Sequence, residues 1–241
     1  CLVGSEMCIR DRSRTMPFVA KVTGNQIIKA GTLLMLGYSI DEVRNKTKYL
    51  SSSSNKVAIK KAIFPWSRFP AEDTMLGPEM KATGEVLGVG KEFGTALNKA
   101  YAAAGVEINN KEKGIFVTLS DSEKPNFIKT VNKYLELGFT LYSTEGTGKF
   151  LKTNGIDSVI VGKADDLGQT SLTIIEDKLV SLVINTPTYA NELSDGWKIR
   201  RLSHETGVAV VSSVREADAF IEAFLNQNLV LDDLEVIQDV S

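Results

Sequence analysis

Four short segments of this sequence carry the groups that hold a phosphate monoester. They are Ser120-Asp-Ser-Glu-Lys-Pro125, Ser143-Thr-Glu-Gly-Thr-Gly148, Gly162-Lys163 and Asn185-Thr-Pro-Thr188. Hydroxyls and backbone amides supply fixed donors, and Lys124 and Lys163 add local cations, which is what an anionic oxygen cluster needs. The second segment is the sharpest. Gly146 and Gly148 let backbone amides turn toward one point while Thr147 opens the following helix, making a small anion nest. Its bland alternative is an ordinary helix cap, in which Thr144 or Thr147 only satisfies its own first turn. Lys124, Lys163 and Asn185 on neighbouring segments tip the balance toward the anion. The candidate effector-binding set is Lys124, Thr144, Gly146, Thr147, Lys163, Asn185, Thr186 and Thr188, with no catalytic residue and no metal ligand assigned.

Other chemistries lack their parts. Both cysteines, Cys1 and Cys8, lie in the first eight residues, and the single histidine is His204. The body of the chain therefore has no zinc spacing and no Cys-His nucleophile pair. His204 follows Arg200 and Arg201 and reads as packing rather than catalysis. The arginine pair reads as helix-end contacts plus a positive background for the anion. Asp165 and Asp166 read as a solvated loop after Lys163.

These segments need strands to position them. Ile115–Leu119, Phe139–Tyr142, Val159–Val161, Leu182–Ile184 and Val208–Val211 are short apolar runs rich in β-branched residues. Helical stretches alternate with them over 125–137, 148–153, 174–178, 189–202 and 214–226. Strands apolar on both faces, alternating with helices, predict an α/β fold whose C-terminal part is a doubly wound, parallel, five-stranded sheet. Each phosphate-type segment follows one strand, where such sheets bind ligands.

Upstream, the pattern predicts a short segment and then an amphipathic helix from Asn25 to Gly37, an exposed loop over 45–55, and a strand from Val57 to Phe64 ended by Pro65. The residues from Pro70 to Pro78 read as a turn-rich connection, followed by the stretch Glu79 to Gly90. A helix follows over 91–104, with Phe93, Leu97 and Tyr101 on one face. Polar residues 105–113 mark a domain boundary, and 230–241 form an acidic tail.

Length and composition agree with two soluble units or one large one. The chain has 241 residues, 43% of them hydrophobic and 24% charged, and a net charge of -2. No global basic field exists to hold nucleic acid or an anionic membrane. The apolar runs fall far short of the ~20 residues of a membrane helix. Residues 1–12 lack periodicity and capping logic, and residues 2–12 match a translated transposase mosaic-end sequencing adapter. They are expected to be an artefact preceding genuine sequence near Ser13.

The segments Ser13–Gly24, Phe69-Pro70, Leu76–Gly90, Thr144–Thr147, Ile184–Thr186 and Ile199–Arg201 together resemble the C-terminal end of the large chain of glutamine-dependent carbamoyl phosphate synthetase. The resemblance spans about 13–226, and the stretch around Gly77 to Gly90 is its most specific part. It implies that 13–107 end the second ATP-grasp half, an α+β remnant of a domain that phosphorylates carbamate with ATP and magnesium or manganese. It implies that 108–241 are the allosteric domain, of methylglyoxal synthase-like fold, where bacterial members bind UMP as inhibitor and IMP as activator. It further implies a cytoplasmic ligase serving arginine and pyrimidine synthesis. The partners would be a glutaminase small chain and the rest of the large chain, with an oligomer possible through the allosteric domain.

Under that resemblance Lys124, Thr144, Thr147, Lys163 and Asn185 fall on phosphate- or nucleotide-binding positions. Two departures bear on it. Pro187 stands where relatives often have Thr, with Thr188 as the compensating hydroxyl. Lys61 stands where ornithine-responsive relatives carry a carboxylate, so ornithine activation is not expected. The magnesium-binding Glu and Asn of the ATP-grasp centre would precede Ser13, so the fragment is expected to be inactive alone and to hold no cofactor itself. The rival reading is a methylglyoxal synthase acting on dihydroxyacetone phosphate. That lyase needs a carboxylate base in a Gly-Gly-Asp-Gln-Gln-like loop, and Ala164-Asp-Asp-Leu-Gly168 lacks those flanks.

Overall fold

The computed structural model describes residues 9–47, 56–64, 66, 84–106, 108, 114–164, 166–186 and 194–225. The cysteines, Asp165, Thr188 and the acidic tail lie outside these residues. Strands β3 (Gly114–Thr118), β4 (Thr140–Thr144), β5 (Val159–Val161), β6 (Val180–Asn185) and β7 (Ala209–Val211) form one sheet in the order β5-β4-β3-β6-β7. Every pairing within it is parallel, as expected.

Alternation along the strands explains why both faces are covered. Ile115 and Val117 of β3 and Leu182 and Ile184 of β6 enter one core with Phe127, Tyr134, Phe220 and Phe224. Phe116 and Val183, one residue out of phase, enter a second core with Ile174, Ile175 and Ile199. Helices α5 (Lys124–Glu136), α6 (Glu145–Thr153) and α9 (Val214–Leu225) therefore lie on one face, and α7 (Thr173–Glu176) and α8 (Asp195–Thr206) on the other. All six residues of β6 are buried. Full burial of each large side chain contributes about 1.5–3 kcal/mol, which is why these runs rather than their turns define the fold.

The first half departs from expectation in several places. The segment before Asn25 is a helix, α1 (Ile9–Thr23), with Pro17 inside it. The expected boundary after residue 12 falls within that helix. The next helix, α2 (Ile27–Met35), has Gln26 rather than Asn25 at its N-terminal boundary, with no side-chain capping bond, and Gly37 follows it in the left-handed region, φ +90°. A third helix, α3 (Ile40–Lys46), takes the first two residues of the expected loop. Ser39 and Glu42 close it with a reciprocal capping box, Ser39 N donating to Glu42 Oε2 at 2.8 Å.

Strand β1 (Val57–Ile63) falls where expected. The stretch after the expected connection, which the sequence left unassigned, ends in a strand, β2 (Gly84–Gly90), antiparallel to β1. Its glycines serve contact. A Cβ on Gly88 would lie 2.5 Å from the Ala100 amide nitrogen, and one on Gly90 would lie 2.8 Å from that of Ala96. Helix α4 (Phe93–Ala103) thus rests its alanines directly on the β2 backbone. Of the expected apolar stripe on α4, Leu97 and Tyr101 are buried, but Phe93 is 43% exposed because it lies at the helix N-terminus beyond the core. On its other side α4 meets α9, where Asn98 Nδ2 donates to the Ala223 carbonyl at 2.6 Å.

Helix α8 starts at Asp195 and runs to Thr206, four residues beyond its expected end. Ser194 caps it, accepting from Trp197 N, and Gly207 closes it at φ +73°. Residues 189–193 of the expected helix lie outside the described residues. Helix α6 begins at Glu145, earlier than expected, so Gly146 and Gly148 are both within its first turn.

Candidate functional site

The sheet order puts β4 on one side of β3 and β6 on the other, so the winding direction reverses there and a crevice opens beyond the carboxyl ends of these strands. Side-chain hydroxyls from the two neighbouring segments hold the backbone at the end of β3. Thr147 Oγ1 accepts from Leu119 N at 3.1 Å and from Thr144 Oγ1 at 3.3 Å. With both lone pairs engaged, Thr147 is left with its O–H to donate. Thr186 Oγ1 accepts from Ser120 N at 2.7 Å and donates to Ser120 Oγ at 3.3 Å. Thr144 and Thr147 on one side and Thr186 on the other therefore flank consecutive residues, Leu119 and Ser120, beyond the end of β3.

Asn185 ends β6 and is buried, as is Thr186. Its Oδ1 accepts from Arg200 Nη1 at 2.9 Å, which orients the carboxamide. Arg200 and Arg201 are themselves buried rather than spread over a helix end, and Arg201 Nε donates to Glu205 Oε1 at 2.7 Å. The link from Arg200 to Asn185 was not anticipated from the sequence.

The two lysines are placed differently. Lys124 is the first residue of α5, only 15% exposed along its side chain, and its Nζ contacts Asp121 Oδ1 at 2.5 Å. That hydrogen bond and the adjoining charge hold the Asp121 carboxyl below its ordinary range. Lys163 lines a separate hollow of about 590 Å³ with Glu145, Lys149 and Lys152. Its backbone N donates to Asp166 Oδ2 at 2.7 Å, so Asp166 closes the loop that carries the lysine. The Glu145 carboxyl is held low chiefly by its hydrogen bond from Lys149, with Lys163 adding a smaller effect.

The two glycines also differ. A Cβ on Gly146 would meet open space, whereas one on Gly148 would run into the Ile160 side chain and lie 2.7 Å from Ser143 Oγ. Gly148 is a packing glycine, and neither residue has a positive φ. The amides at this point come from the regular first turn of α6 rather than from a glycine-built turn.

A cavity of about 380 Å³ lies on the far side of α8, lined by Lys61, Trp66, Tyr101, His204 and Glu216 among others. His204 is tilted against Trp66 at 5.7 Å. Burial, aided by the nearby charges of Lys61 and Arg201, lowers its pKa from 6.5 to about 4. The packing role expected for His204 thus has a partner from the first half of the chain. Among the described residues no group of three or more His, Cys, Asp or Glu side chains is arranged to hold a metal ion. None of the described helices is long and apolar enough to cross a membrane.

Residues 126–212 match the family description of the MGS-like domain. The chain contains an MGS-like domain. Beyond that segment, similarity extends over most of the sequence. It is 36% identical over 225 residues to a carbamoyl phosphate synthase large chain, C-terminal section, of Aquifex aeolicus, covering 88% of this chain and 42% of that one. A protein of the same description in Methanocaldococcus jannaschii is 35% identical, covering 88% and 35%. The carbamoyl phosphate synthase large chain of Lachnoclostridium phytofermentans is 36% identical, covering 89% and 20%. The chain thus spans from a fifth to about two fifths of the length of these relatives. The matched segment contains β4, β5, β6 and β7, four of the five strands of the parallel sheet whose strand ends form the crevice.

Proposed function

We propose that this chain is the C-terminal regulatory part of a carbamoyl phosphate synthase large chain, and that its MGS-like domain binds a nucleoside monophosphate effector, UMP or IMP, by the phosphate. The observation that supports it most is the flanking of Leu119 and Ser120 beyond β3 by Thr144 and Thr147 on one side and Thr186 on the other, backed by the first turn of α6. Helix N-terminal amides and hydroxyl donors suit a phosphate dianion. Lys124 supplies the cation. Its partner Asp121 is 94% exposed, and an ion pair so open to water is worth little, so an arriving phosphate can take the ammonium over. Asn185, fixed by Arg200, offers its amide to the rest of the nucleotide, with Gly146 leaving room for it.

On this reading 13–107 close an ATP-grasp domain and 108–241 form the allosteric domain. In the cytoplasmic parent, ATP and magnesium act on upstream residues, and the glutaminase small chain and the rest of the large chain are the partners. The chain alone makes no carbamoyl phosphate. Calorimetric titration with UMP and with IMP tests the reading, alongside assays with ATP, magnesium and bicarbonate and with dihydroxyacetone phosphate. Saturable nucleotide binding without turnover is expected. Methylglyoxal release would favour the lyase instead, and absence of nucleotide binding would remove the effector site.

A further inference from the structure

The loop between β3 and α5 places an anion of its own beside the cation of the strand-end crevice. Residues 120–124 form a tight turn, closed by Glu123 N donating to the Ser120 carbonyl at 3.0 Å and Lys124 N donating to the same oxygen at 3.3 Å. The start of the turn is anchored, because Ser120 N donates to Thr186 Oγ1. Asp121 is thereby kept within reach of Lys124 three residues on, and its Oδ1 accepts from Lys124 Nζ at 2.5 Å.

An aspartate just before a helix ordinarily caps it, accepting from a backbone amide of the first turn. Asp121 does not. The residue flanking α5 is Glu123, whose side chain makes no capping bond, and among the described residues the Asp121 carboxylate accepts only from Lys124. The two side chains are unequally placed, since that of Asp121 is 94% exposed and that of Lys124 only 15%. The ammonium therefore belongs to the wall of the crevice, whereas the carboxylate stands in water and is free to leave. A phosphate dianion arriving at this ammonium meets a like charge already there, and the repulsion is relieved when the exposed carboxylate yields.

We propose that Asp121 is a built-in competitor for the effector phosphate, holding the Lys124 ammonium in the empty site and releasing it when phosphate binds, so that it raises the effector concentration needed for half-saturation. The proposal rests on the phosphate reading of the crevice and adds to it a residue that sets affinity without touching the ligand. Its signature follows from where the competition takes place. Every ligand that brings the same dianionic phosphate is hindered by the same factor, whatever nucleoside follows. An ion pair with one partner this exposed is weak, so the factor is small, about threefold.

Calorimetric titrations with inorganic phosphate, UMP and IMP test this at low salt and pH 8, where phosphate monoesters are dianions. Asp121→Asn is expected to bind about threefold tighter than the unmodified chain, by the same factor for each ligand that binds. Asp121→Glu keeps the carboxylate and is expected to keep the unmodified affinity. No gain is expected between Lys124→Met and Lys124→Met/Asp121→Asn, because without the ammonium there is nothing to compete for. Thermal unfolding establishes that the variants are folded, as the exposure of Asp121 leads one to expect. Equal or weaker binding by Asp121→Asn, a gain shared by Asp121→Glu, a gain with one bound ligand and not another, or an undiminished gain in the Lys124→Met background would each overturn the proposal while leaving the phosphate site standing. Failure of all three ligands to bind either the unmodified chain or Asp121→Asn would remove the site itself, and the competitor with it.

Discussion

Acidification is expected to weaken the fold through His204, and the sign and size follow from its surroundings. Burial and the charges of Lys61 and Arg201 depress its folded pKa to about 4, whereas in the unfolded chain it titrates near 6.5. Between those values the unfolded state binds more protons than the folded one, so the stability present above about pH 6.5 is lost as pH falls. The loss grows through the window and is complete below pH 4. Between pH 7 and pH 5 the two pKa values give a loss of about 2 kcal/mol from this residue alone. Carboxylates titrate in the same range, so the informative quantity is a difference between proteins. Urea unfolding of the unmodified chain and of His204→Gln at both pH values isolates it. The variant is expected to lose about 2 kcal/mol less on acidification, whatever its absolute stability. If both proteins lose the same amount, the packing of His204 against Trp66 does not exclude its proton and the argument fails.

Lys124→Ala is expected to weaken nucleotide monophosphate binding by at least about tenfold in calorimetry, the scale of a lost hydrogen bond to a charged group. Gly88→Ala drives a methyl into the α4 backbone, which has no side chain to move aside, and thermal unfolding is expected to report a loss of about 1–3 kcal/mol. Tyr134→Phe removes a buried hydroxyl that donates to the Ala217 carbonyl at 2.6 Å, at a cost of about 1 kcal/mol by denaturant titration. Arg200→Met leaves Asn185 without its orienting donor, and nucleotide affinity is expected to fall although Arg200 itself need not touch the ligand.

The parallel sheet was legible because its central strands, β3 and β6, are buried on both faces and appear as apolar runs, while the edge strand β5 is apolar although two of its three residues are exposed. Its helix boundaries were less so. Helix α8 takes its start from Ser194, a residue whose capping role shows only once Trp197 N is known to point at it. Helix α3 was missed even though Ser39 and Glu42 have the spacing of a capping box, because its seven residues bury only Val43 and leave almost no apolar period to detect. Strand β2 was hidden by glycines at 84, 88 and 90, which argue for a turn locally and are explained only by the alanines of α4 lying across them. The strand-end residues could be proposed because each follows an apolar run directly. The cavity beyond α8 could not, since its walls come from positions between 61 and 216 that only the folded chain brings together.

The contact between β2 and α4 also bears on how a signal crosses the molecule. Where helices and strands meet through long side chains, rotamer changes absorb small displacements before they travel. At Gly88 and Gly90 that cushion is missing, because main chain meets main chain and the alanine methyls. A shift of α9 that pulls on Asn98 is thereby handed to the β1–β2 hairpin as a rigid displacement, with little slack between input and output. Such a joint behaves like a lever rather than a spring, and lengthening a side chain on either side would be expected to uncouple the two halves before it unfolded either one.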